Sequence, residues 1–62
     1  MLYKYGLRLR GVSIGTQPKG FLYYEDSDKS TTGYWSFVYY KETLSEEDLK
    51  KYDMNFIEII QQ

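Results

Sequence analysis

The chain has 62 residues with a net charge of −1, and it contains neither cysteine nor histidine. That excludes a disulfide framework and the usual thiol and imidazole metal sites, and leaves carboxylates as the only ligand supply. One small domain is expected, held by apolar and aromatic packing, with or without help from a partner chain, and with a modest share of its surface buried.

Aromatic residues make up 19% of the chain and eight of them are tyrosine. Tyrosine buries a large ring but keeps a hydroxyl that seeks water or a partner. No apolar run is long enough to cross a membrane as a helix. The opening "MLYKYGLRLR" has bases but no apolar segment behind them, so it does not read as a signal peptide, and a cytoplasmic protein is expected. The small net charge hides an asymmetry. Residues 1–20 carry +4 and no acid, whereas residues 21–62 carry −5.

Residues 2–10 alternate: Tyr3, Tyr5, Leu7 and Leu9 against Lys4, Gly6, Arg8 and Arg10. Period two predicts a half-buried strand. Gly6 within it predicts a bulge or a close approach, because it brings no side chain to pack.

"GVSIGTQPKG", residues 11–20, follows. Its glycine spacing superficially suggests a phosphate loop, but Phe21 and Leu22 stand where lysine and a hydroxyl residue would be needed. "QPKG" reads as a type I turn. The segment is longer than a tight hairpin needs and rich in hydrogen-bonding groups, so it is either a plain connection or a binding loop.

Residues 21–26 and 34–41 are rich in aromatic and β-branched residues and predict two strands of a hairpin with a polar loop between them. With Ser27 opposite Tyr34, Tyr24 and Leu22 share the core face with Phe37 and Tyr39. Phe21, Tyr23, Val38 and Tyr40 then lie on the other face. A slip of one residue would exchange these assignments.

In "LSEEDLKKYD", residues 44–53, Ser45 is a favoured N-cap with Asp48 three residues on. Glu46 and Glu47 complement the positive end of the helix dipole. Leu44 and Leu49 suit a staple across the cap. The helix is expected to end near Asp53, with a strand over residues 55–60, although "MNFIEII" also fits a continued helical stripe. The expected fold is α+β: a small antiparallel sheet of three or four strands with one short helix, in the order β-β-β-α-β.

"YGLRLRG", "SIG" and "QPKG", then the Tyr/Trp strand and "LSEEDLKKYDMNFI", together resemble short uncharacterised proteins of gram-positive bacteria, often found on conjugative transposons and other mobile elements. The resemblance implies a bacterial cytoplasmic accessory protein and no known activity. Thr16 stands where such proteins would carry a small or sulfur-bearing residue.

Catalysis is the least supported class, since the commonest acid–base and nucleophilic side chains are missing. No cofactor or metal is expected. The leading expectation is a non-enzymatic binding module acting on protein, itself as a homodimer included. The expected contact residues are Arg8, Arg10, Ser13, Gln17, Lys19, Tyr23 and Tyr40. The alternative is single-stranded nucleic-acid binding through the basic first strand and outward tyrosines. An enzyme stands third.

Overall fold

A computed structural model describes residues 1–9 and 17–61. The described part is an α+β arrangement of four strands and two short helices. In chain order these are β1 (Leu2–Leu7), β2 (Tyr23–Asp26), α1 (Lys29–Thr32), β3 (Ser36–Tyr40), α2 (Glu46–Lys51) and β4 (Met54–Ile60). The sheet runs β2-β3-β1-β4 and every neighbouring pair is antiparallel. The first strand is therefore central. β3 and β4 flank it and run parallel to each other, joined by the crossover that carries α2.

Alternation along β1 sends Tyr3, Tyr5 and Leu7 to one face and Leu2, Lys4 and Gly6 to the other, as the period-two pattern predicts. Tyr5 and Leu7 join Val38, Tyr40 and Met54 in the core cluster, against which Leu44, Leu49 and Tyr52 pack from α2 and its flanks. Ser45 caps α2, its Oγ accepting from the Asp48 N–H at 3.2 Å. Asp53 turns the chain into β4 with φ of 53°, in the left-handed region. The short-helix-then-strand reading of the last segment holds.

Three expectations need correction. The first strand ends at Leu7 rather than at residue 10. A second helix, α1, occupies the polar loop expected between the two hairpin strands. Asp28 caps it by accepting from the Ser30 N–H, and Gly33 closes it with φ of 85°. The third correction is the hairpin register, which is slipped by one residue. Ser27 N–H donates to the carbonyl of Trp35 at 3.0 Å, so Tyr24 lies opposite Val38 and Tyr23 opposite Tyr39. The helical turn is the physical reason, because it fixes where the returning strand begins. Val38 and Tyr40 consequently belong to the core face, and Phe37 and Tyr39 face away from it.

Gly6 explains itself. A Cβ there would come within 2.7 Å of three atoms of the Tyr34 ring, which lies directly over the glycine. The bulge sits one position earlier and on the β4 side: Lys4 pairs with Glu58 and Tyr5 with Phe56, leaving Ile57 as the extra residue.

Candidate functional site

The sheet has two unlike faces. On the helix side, Tyr5 is an anchor. Its hydroxyl accepts from the Leu44 N–H at 2.8 Å, and its ring meets Tyr40 and Phe56 edge-on with centroids 5.8 and 5.6 Å away. Tyr40 is buried, and its hydroxyl donates to the Pro18 carbonyl at 2.7 Å. Burial first, then the negative charge of Asp48, holds the Tyr40 hydroxyl well above the usual tyrosine range.

On the other face no helix covers the sheet among the described residues, yet Leu2 and Tyr39 are each only 3% exposed. Neighbouring side chains do the covering. Tyr23 stacks on Tyr39 with ring centroids 4.3 Å apart. Lys4 Nζ sits 4.2 Å from the Phe37 centroid and 3.9 Å from the Glu58 carboxylate. Tyr34 packs on Phe37, accepts from Asn55 Nδ2 at 3.1 Å, and lies beneath the Arg8 guanidinium at 5.5 Å. The Tyr39 hydroxyl donates to Glu25, and its proton is held more tightly than in a free tyrosine, by desolvation first and the Glu25 bond second.

Those residues expected to bind a partner that the structure describes do not form one surface. Arg8 lies on the open face, beside Tyr34 and 3.8 Å from the Asp53 carboxylate. Tyr23 lies on the same face at the opposite edge of the sheet, in β2. Lys19 is exposed and, with Tyr40, lines a shallow cleft of about 230 Å³ between the segment before β2 and the turn after β3. Gln17 and Tyr40 are corrections as outward contact groups: Gln17 is 8% exposed and Tyr40 4%. Tyr40 turns inward because the β1–β3 register puts it opposite Tyr3 on the helix face. Arg10 and Ser13 lie outside the described residues.

Sequence reading missed an exposed apolar pair on β4; Leu22 and Tyr24, on the β2 side, are exposed to a similar degree at 50% and 49%. Phe56 and Ile59 are each 47% exposed. The bulge at Ile57 puts both on the helix face, opposite Tyr5 and Tyr3 respectively. An open groove of about 400 Å³ adjoins Phe56, bounded by Glu46, Leu49 and Lys50 of α2 and by Met54 and Asn55 of β4, with Asp53 at its end. The signal was present in "MNFIEII", but only the topology shows that this strand is an edge. Among the described residues, no group of three or more acidic side chains is placed to hold a metal ion. No described helix is long and apolar enough to cross a membrane.

The family comparison decides the assignment. A family model described as "Defence against restriction A C-terminal" matches residues 1–58. The chain belongs to the defence against restriction A C-terminal family. The match spans all four strands and both helices down to Glu58. No match was found among curated proteins, and none among solved structures.

Proposed function

We propose that this chain is a non-enzymatic interaction module that works by protein contact along the β4 side of the sheet. Its setting is the cytoplasm of a bacterium carrying a mobile genetic element. The family description, defence against restriction, supports that setting. The observation that carries the contact reading is the half-exposed pair Phe56 and Ile59, side by side on an edge strand next to an open groove. Apolar side chains grouped this way on so small a chain mark an interface. An edge strand adds backbone donors and acceptors that a partner strand can use.

A second reading keeps single-stranded nucleic acid as the partner, on the open face. The Tyr23–Tyr39 stack and the cations Lys4 and Arg8 favour it. Against it, Glu25 and Glu58 share that face and already engage Tyr39 and Lys4. The first reading is therefore preferred.

A photo-crosslinking residue in place of Ile59, in the host cell, tests the choice. Protein adducts are expected. Adducts to nucleic acid, or none, would sink the contact reading. In parallel, binding of a fluorescent oligonucleotide that collapses with added salt would revive the second reading, because phosphate contacts release counterions.

A further inference from the structure

The partner chemistry can be narrowed by asking what the free edge of β4 fits. Its phase follows from one bond. The Arg8 N–H donates to the Asp53 carbonyl at 3.3 Å. Backbone groups alternate in direction along an antiparallel ladder, so Asn55 turns its N–H and C=O toward β1, and Met54 and Phe56 turn theirs away. The bulge adds one residue, and beyond it Glu58 and Ile60 face β1 while Ile59 faces out. Phe56 and Ile59 therefore combine three properties. Both turn backbone groups outward that no strand among the described residues takes, both point their side chains to the helix face, and both are 47% exposed.

Those properties are self-complementary. We infer that two copies of this chain pair antiparallel through β4, with Phe56 of one copy opposite Ile59 of the other, making a continuous eight-stranded sheet. This rests on the contact reading above. In this register the two-fold axis passes between Ile57 and Glu58. Each Phe56–Ile59 pair exchanges two backbone hydrogen bonds and brings an aromatic ring against a β-branched side chain, a favourable cross-strand combination. Asn55 falls opposite Ile60 on the open face, and Glu58 falls opposite Ile57 rather than opposite its own copy. A shift of one residue would set Phe56 and Ile59 against residues of the other face. Without the bulge, residues 56 and 59 would lie on opposite faces and no such register would exist.

Charge separates this edge from the other. β2 ends in Glu25 and Asp26, so pairing two copies through it would gather four carboxylates on two four-residue strands. β4 carries one acid, Glu58, and each copy brings its own Lys4 to within 3.9 Å of it. The β4 edge is thus the one whose charge is already balanced.

Sedimentation of the whole chain over a dilution series reads the association directly. A concentration-dependent dimer is expected, and Ile59→Lys should raise its dissociation constant by about tenfold or more with the urea midpoint of the monomer unchanged. The register has its own test, because the chain has no cysteine to confuse it. Mixed Phe56→Cys and Ile59→Cys chains should form a disulfide-linked heterodimer under mild oxidation, faster than either variant links to itself. A wild-type chain that stays monomeric at every concentration overturns the self-pairing. So does a dimer indifferent to Ile59→Lys, or a mixture that fails to cross-link. If the wild type is monomeric while the photo-crosslinker at position 59 captures a different protein, self-pairing falls and the contact reading stands.

Discussion

The two faces of the sheet reach similar burial by different means. On the helix face, Leu7 and Val38 are fully buried because other elements lie against them. On the open face, Tyr39 is nearly as buried although no helix among the described residues lies over it. Its cover is Tyr23 at stacking distance, with Lys4 and Tyr34 over the adjoining Phe37. A small chain can therefore hide rings with neighbouring side chains of the same sheet. Such cover comes from flexible groups, each with its own alternative in water, so substitutions should cost less there than on the helix face.

Alkaline pH should produce the largest effect, and it acts on both faces at once. Tyr39 and Tyr40 have folded-state pKa values raised above the unfolded tyrosine value of about 10. Their contribution to stability is fully present below that pH and is lost as pH rises through the folded values. Circular dichroism and tyrosinate absorbance should change together above about pH 10. Ionisation of all eight tyrosines with the fold intact would contradict this.

Leu7→Ala comes next, at about 2–5 kcal/mol, because the fully buried side chain leaves a cavity under α2. Urea denaturation measures it. A loss below about 1 kcal/mol would mean that the helix face collapses as easily as the open one.

Gly6→Ala should cost about 1–3 kcal/mol by overpacking against Tyr34. The informative measurement is the cycle with Tyr34→Ala. Most of the penalty should vanish in that background, whereas additive effects would show that the ring is not what excludes a side chain.

Ser45→Ala should cost about 1 kcal/mol through loss of the cap on α2. Lys4→Gln should cost least, about 0.5–1 kcal/mol, since its ammonium is partly exposed over Phe37. A larger loss from Lys4→Gln than from Ser45→Ala would reverse the ranking of the two faces.

Local patterns in the chain were informative where one element sufficed to read them. The alternation in β1, the Ser45 cap and the strand after Asp53 each depend on neighbours within a few residues. The α1 turn was equally local. Asp28 and Gly33 bracket it as cap and left-handed stop, a signal hidden inside what looked like a polar loop. Missing that turn caused the register error, which in turn sent Tyr40 to the wrong face. The edge position of β4 was not legible, because it follows from β1 sitting between strands far along the chain. Phe56 and Ile59 could be recognised as strand residues but not as exposed ones. Their shared face depends on the bulge at Ile57, which no local rule announces.

The central place of β1 has a consequence for how the molecule forms. It precedes the other three described strands in the sequence, and its neighbours β3 and β4 come third and fourth among them. Its ladder waits for residues about thirty or more positions downstream, so loops must close at an entropic cost before any of them can be zipped. Until β4 has emerged, β1 lacks its second neighbour and keeps a row of unanswered backbone groups, so the sheet cannot close strand by strand in chain order.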